Sequence, residues 1–199
     1  LPPSKLKKVG VVGAGFMGAG IAYVTAQAGL EVVLVDRDQE AADKGKAYSH
    51  KLVSDQIMKG RAKTADRDAL LSRITATADY AALKGCDLVV EAVFEDPKVK
   101  AEVIAKVEAA VGPKTIFGSN TSTLPITGLA SHSLRPQNFI GIHFFSPVEK
   151  MLLVEVIMAK KTGKKALAMA LDFVRAIKKT PIVVNDTRGF YVNRCVVKK

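Results

Sequence analysis

Tryptophan is absent from this chain, aromatic residues make up only 6% of it, and there are just two cysteines, Cys86 and Cys195. Two cysteines cannot form a disulfide framework, and their scarcity points to a reducing compartment. Long apolar runs are missing as well. The longest apolar region, Ile21 to Val35, is interrupted by Gln27 and Glu31, so nothing reaches the roughly 18 uninterrupted apolar residues of a helical membrane span. The opening Leu1-Pro2-Pro3-Ser4-Lys5 has neither the apolar segment nor the small-residue cleavage site of a signal peptide. Acidic residues are also in deficit: 19 Asp and Glu stand against 30 Lys and Arg, a formal net charge of +11.

Of the 199 residues, 48% are hydrophobic, which excludes intrinsic disorder and suffices for one large core. Residues 1–7 read as a linker remnant and 8–187 as one domain. Arg188-Gly189-Phe190-Tyr191-Val192-Asn193-Arg194 reads as the start of a further element. Short β-branched runs alternate with longer amphipathic stretches, the pattern of an α/β protein with a parallel sheet. Strands are predicted at Lys8 to Val12, Glu31 to Asp36, Ile74 to Thr77, Asp87 to Val93 and Thr115 to Gly118. Helices are predicted at Met17 to Ala28, Val99 to Val111 and Pro125 to Ala130, with helical segments over Gln39 to Ser72 that break at Gly60-Arg61. The pattern then changes. Phe139 to Phe144 and Met151 to Met158 form an antiparallel hairpin, followed by a helix at Lys164 to Lys178 and a strand at Pro181 to Val184. The whole is a Rossmann-type, doubly wound, mainly parallel sheet with helices on both faces.

Gly13-Ala14-Gly15-Phe16-Met17-Gly18 lies between a predicted strand and a predicted helix. That is the context a dinucleotide fingerprint requires. The first glycine makes the tight turn, the second lets backbone approach a pyrophosphate, and the third lets helix pack on strand. Amides at the helix start hold the phosphates. Asp36 follows at the end of the second strand, 23 positions after Gly13. A carboxylate there accepts from the adenosine ribose hydroxyls and repels a 2′-phosphate, favouring NAD over NADP, although the adjacent Arg37 offers a cation to such a phosphate.

Of three histidines, His143 stands inside the apolar string Phe139-Ile140-Gly141-Ile142-His143-Phe144-Phe145. A hairpin centred near Glu149 sets Glu155 directly across from it on the same face. A carboxylate beside a histidine fixes its tautomer and stabilises the imidazolium, making the ring a general base for a hydroxyl proton. The other reading is a core histidine satisfied by backbone, with Glu155 turned to solvent. Ser119-Asn120-Thr121-Ser122-Thr123 follows a strand, so its hydroxyls belong either at the ligand edge of the sheet or in a helix N-cap ahead of Pro125. Glu95-Asp96-Pro97-Lys98-Val99-Lys100 supplies Glu95 or Lys100 to a cofactor, or is simply a capped, charged helix start.

Taken with Val89-Val90-Glu91-Ala92-Val93 and Glu155-Val156-Ile157, the glycine loop, the Ser119 string and Gly141-Ile142-His143-Phe144-Phe145-Ser146-Pro147 resemble the L-3-hydroxyacyl-CoA dehydrogenase family. The resemblance implies NAD-dependent oxidation of the 3-hydroxyl of an acyl-CoA in fatty-acid β-oxidation, with His143 as base and Glu155 as its partner. It further implies that Ser122 hydrogen-bonds the reacting oxygen, that Glu95, Lys100 and Ser146 contact cofactor beside Gly13, Gly15, Phe16, Met17, Gly18, Asp36 and Arg37, and that Asn193 faces substrate. Ser49 matches a CoA-contacting position. A lysine found in some members aligns with Gln56, so Lys51 or Lys59 would serve instead. Ser146 replaces a common Asn, as in dehydrogenase parts of multifunctional enoyl-CoA hydratase/dehydrogenase proteins.

In the family a helical C-terminal domain follows. Residues 188–199 are then its beginning, and this chain by itself is expected to bind NAD with weak or no turnover, and to form a homodimer if the undocked face self-associates. The bacterial cytoplasm is the expected location, with the peroxisomal or mitochondrial matrix as alternatives. The basic run Lys44, Lys46, Lys51, Lys59, Arg61 and Lys63 is either an electropositive landing surface for CoA or a solvated helix face. Nucleic-acid binding is disfavoured by the absence of an aromatic platform and of zinc, RNA-recognition and helix-turn-helix patterns. No metal-ligand set is present. A second enzyme reading is a hydroxyacid dehydrogenase with a lysine acid/base, acting on free acids.

Overall fold

The computed structural model describes residues 4–187. Eight strands form one sheet: β1 (Lys8–Val12), β2 (Glu31–Val35), β3 (Ile74–Thr77), β4 (Leu88–Glu91), β5 (Ile116–Ser119), β6 (Phe139–Phe144), β7 (Leu153–Met158) and β8 (Thr180–Asn185). Six helices connect them: α1 (Phe16–Gln27), α2 (Gln39–Met58), α3 (Thr64–Ser72), α4 (Pro97–Ala110), α5 (Ile126–Ala130) and α6 (Lys164–Ala176). The strand order is β3-β2-β1-β4-β5-β6-β7-β8, and every neighbouring pair is parallel except β6 with β7. The strand order reverses between β1 and β4. The crevice beyond their carboxyl ends is where an open α/β sheet receives a ligand.

Two apolar clusters cover the two faces, and the strands feed them alternately. Val9, Val11, Val32, Leu34, Leu88, Val90, Ile140, Ile142 and Phe144 point to the side of α1, α2 and α6. Val33, Val35, Val89, Phe117, Phe139 and Ile157 point to the side of α4 and α5. Helix α1 is buried from Gly18 through Ala26 because sheet, α2 and the turn after β6 surround it. Helix α2 buries only Ala42, Gly45, Ser49 and Val53. That spacing is one helical stripe, with the charged residues on the other sides.

Several boundaries shift from the sequence reading. Strand β4 ends at Glu91, where its last bond to β1 runs from Ala92 N–H to Val12 O. Strand β7 begins at Leu153 rather than Met151, since Lys150 and Met151 close a turn on Pro147 O. Short 3-10 turns at Tyr80–Leu83 and Pro136–Asn138 were not foreseen. Ser4–Lys7, read as linker, are anchored: Ser4 N–H donates to Asp172, Lys7 N–H donates to Asp87, and Leu6 packs on the core. Two long-range clamps complete the frame. The buried Lys179 ammonium donates to Val148 O and Met151 O, and burial lowers its pKa against the opposing pull of Glu149. Asp186, just past β8, accepts from the first two amides of α5, Ile126 and Thr127.

Phe173 of α6 is fully buried and meets the Phe144 ring edge-on. Phe173→Ala should cost about 3–5 kcal/mol, read as a lower denaturant midpoint at unchanged slope. A loss under about 1 kcal/mol would show that α6 is not packed as described.

Candidate active site

The glycine loop has the backbone its sequence implies. Gly13 has φ 97°, open to glycine, and a Cβ there would lie 2.7 Å from Ala92 O. At Gly18 a Cβ would overlap the Gly13 carbonyl, whereas Gly15 has nothing within 4 Å. That open side is where a pyrophosphate can reach the amides at the start of α1, which no side chain caps. Asp36 is held in place from both sides, its Oδ2 accepting from Ala14 N–H (2.7 Å) and its Oδ1 from Arg37 N–H (2.6 Å). A cavity of about 960 Å³ runs from this loop past Asp36, Arg37, Tyr80 and Lys106. Loop, cavity and carboxylate fit an adenine dinucleotide. The Arg37 guanidinium is largely exposed and pairs with Asp38.

A second cavity of about 320 Å³ adjoins the first, sharing Met17, Ala92 and Val93 with it. Its walls bring together Glu95, Asn120, Ser122, His143 and Ser146. The β6/β7 register pairs His143 with Glu155, and His143 Nδ1 lies 3.1 Å from Glu155 Oε1. Glu155 is completely buried, so the alternative of a carboxylate turned to solvent is excluded. The Phe145 ring packs against the imidazole at 4.7 Å.

Beneath this cavity sits a charged cluster that sequence reasoning had only half identified. The Lys100 ammonium is 1% exposed and donates to both oxygens of Glu91 at 2.9 and 2.8 Å, with Glu95 at 3.8 Å. Ser119 Oγ also donates to Glu91. Lys100, read as a cofactor contact, is therefore turned inward by the Glu91 carboxylate. The signal for Glu91 was available, since it is the lone ionisable residue of a fully buried strand. Glu95 collects Thr121 Oγ1 (2.5 Å), Ser122 N–H and Ser122 Oγ (both 3.0 Å). The Ser119 to Thr123 string thus serves Glu95 and the cavity and caps no helix; that task falls to Asp186. Asn120 completes the edge, its Oδ1 accepting Phe144 N–H at 2.8 Å.

The expected CoA contacts are not brought together. Ser49, which the resemblance matches to a CoA-contacting position, is fully buried on α2, and its hydroxyl has no hydrogen-bond partner among the described residues. Lys51 and Lys59 are exposed, Lys59 beside a separate cavity of about 780 Å³ that also contacts Gln56 and Arg61. Tyr48, next to Ser49, donates to Glu149 at 2.8 Å and so ties α2 to the turn after His143. Burial and that bond push its pKa up to about 12. Asn193 and the rest of 188–199 lie outside the described residues.

The profile of the family "3-hydroxyacyl-CoA dehydrogenase, NAD binding domain" matches residues 8–187. The chain belongs to this family. Solved structures agree with the assignment. The (S)-3-hydroxybutyryl-CoA dehydrogenase PaaH1 from Ralstonia eutropha is 38% identical with a TM-score of 0.94, over 96% of this chain and 68% of that one. The 3-hydroxybutyryl-CoA dehydrogenase from Escherichia coli K12 is 32% identical with a TM-score of 0.92, over 96% of this chain and 40% of that one. The dehydrogenase part of multifunctional enzyme 1 from C. elegans is 32% identical with a TM-score of 0.81, over 92% and 42%. As a member of the 3-hydroxyacyl-CoA dehydrogenase family the chain is an NAD-binding oxidoreductase domain.

Burial opposes ionisation of Glu95, but the Thr121 and Ser122 hydrogen bonds and the Lys100 charge outweigh it and hold its carboxyl below the ordinary 4.5. A carboxyl with a depressed folded pKa adds stability above its unfolded pKa, and that contribution is lost as pH falls through the folded value. Thr121→Val removes a lowering contact, so its penalty should be larger at neutral pH than below about pH 3, as read from urea unfolding. A penalty independent of pH would show that the Glu95 bond is not its source.

Proposed function

We propose that the site oxidises the 3-hydroxyl of an L-3-hydroxyacyl-CoA to the ketone, as in fatty-acid β-oxidation, with His143 as general base and Glu155 as its orienting partner. The observation that carries this reading is the 3.1 Å His143–Glu155 pair beside a cavity that shares Met17, Ala92 and Val93 with the glycine-loop cavity. NAD, when bound, supplies the hydride acceptor. The chain's own part is binding, orientation and proton handling. The loop amides and Asp36 hold the dinucleotide. With Nδ1–H donated to Glu155, the His143 lone pair is on Nε2, and that nitrogen takes the C3 hydroxyl proton. Glu155 then stabilises the imidazolium through the bond it already makes, and in the reducing direction the same nitrogen returns the proton. Ser122 Oγ, which donates its proton to Glu95, turns that proton to the reacting oxygen when substrate is bound.

The lysine acid/base alternative has no support here, since no lysine lines this cavity among the described residues. Lys51 and Lys59 are the proposed cationic contacts for CoA phosphates. Ser146 in place of Asn aligns the chain with dehydrogenase parts of multifunctional proteins.

The test is NADH absorbance with acetoacetyl-CoA, on this chain and on forms extended at the C-terminus. In whichever form turns over, His143→Gln should lower kcat by about 10²–10⁴ and Glu155→Gln should lower it substantially, with NADH affinity unchanged in both. Parent-like turnover in either variant would remove that residue from the mechanism. Turnover of free 3-hydroxy acids in preference to CoA esters would overturn the substrate assignment.

A further inference from the structure

The cavity beside His143 is edged by charge of one sign. Glu95 and His143 are the ionisable residues of its wall, and no lysine or arginine lines it among the described residues. Against the pull of burial, the Thr121 and Ser122 hydrogen bonds and the Lys100 charge hold the Glu95 carboxyl below its ordinary pKa, so it is anionic at neutral pH. Behind it lies Glu91, next in sequence to the wall residue Ala92 and bonded by Ser119, the neighbour of the wall residue Asn120. One ammonium serves both carboxylates, since Lys100 pairs with Glu91 at 2.8 Å and stands 3.8 Å from Glu95. The cluster therefore carries one negative charge in excess. Water screens it poorly, because Glu91 and Lys100 are each only 1% exposed. The buried Glu155 adds a further carboxylate behind His143, whose ring is neutral when it acts as base.

A field of that sign does not treat the two forms of the cofactor alike. The nicotinamide ring is cationic in NAD and neutral in NADH, while the rest of the molecule is unchanged. We propose that the Glu91–Lys100 pair sets the preference of this site between oxidised and reduced cofactor, by leaving the Glu95 charge free to favour the cationic ring. Lys100 has one positive charge to give, and Glu91 takes it. Without Glu91 the same ammonium would neutralise Glu95 instead, and the oxidised form would lose its advantage. Exchange of NADH for NAD between turnovers is favoured accordingly. The inference rests on the reading that the nicotinamide half occupies the His143 cavity, and it does not depend on which hydroxyacyl group is oxidised.

The test is the ratio of the NAD to the NADH dissociation constant, from calorimetric titration of the 199-residue chain at neutral pH, with ADP as a ligand that has no nicotinamide. Glu91→Gln should raise that ratio about three- to tenfold and leave ADP within about twofold. Adding Lys100→Met removes the ammonium as well, restores the single negative excess and should bring the ratio back to the parent value. A role in packing alone would make the double variant no better than the single one. Glu95→Gln, at the cavity rim, should also raise the ratio, which keeps the charge testable if Glu91→Gln does not fold. A parent-like ratio in Glu91→Gln or Glu95→Gln, or a double variant that departs as far as the single one, overturns the proposal and leaves the functional reading standing. A parent chain that binds neither NAD nor NADH would overturn that reading as well.

Discussion

Antiparallel pairing of β6 with β7 decides which side chains can meet at the carboxyl edge of the sheet. Side chains alternate across a strand, so a slip of one residue would send Glu155 to the α6 face and leave His143 facing an apolar residue. The register is secured by the strand's own pattern, because Ile142, Phe144, Val154 and Val156 all enter one cluster while His143 and Glu155 stand on the other side. It is secured again at the turn, where the Lys179 ammonium grips Val148 O and Met151 O. The His143–Glu155 geometry is therefore a by-product of hydrophobic packing several residues away.

Charge is buried on that same face at some energetic cost. Removing a partner from a buried ion pair typically destabilises by about 3–5 kcal/mol, yet the intact pair is often no better than apolar packing. The Glu91–Lys100 pair is thus poorly explained as a source of stability. Its geometry fits positioning better: Glu91 sits at the end of β4, Lys100 on α4, and Ser119 at the end of β5. Together they lock the loops that hold Glu95, Thr121 and Ser122.

Much of this was legible in the residues. The order of elements, the glycine loop and the His143–Glu155 pairing follow from periodicity, turn chemistry and hairpin arithmetic, because each depends on neighbours close in sequence. What escaped depends on contacts far apart in the chain. Nothing local says that Lys100 is drawn to Glu91, that α5 is capped from Asp186, or that Ser4 bonds Asp172. The burial of Ser49 belongs with these, because the stripe Ala42, Gly45, Ser49 and Val53 gains its meaning only from α1 packed against it.

The grip of Asp186 on α5 gives the end of β8 a mechanical consequence. Its carboxylate joins two segments about sixty residues apart, and α5 directly follows the string that carries Asn120, Thr121 and Ser122. The end of β8 is therefore fastened through one carboxylate to the helix that succeeds this string, so the far edge of the sheet and the polar edge of the His143 cavity share one anchor.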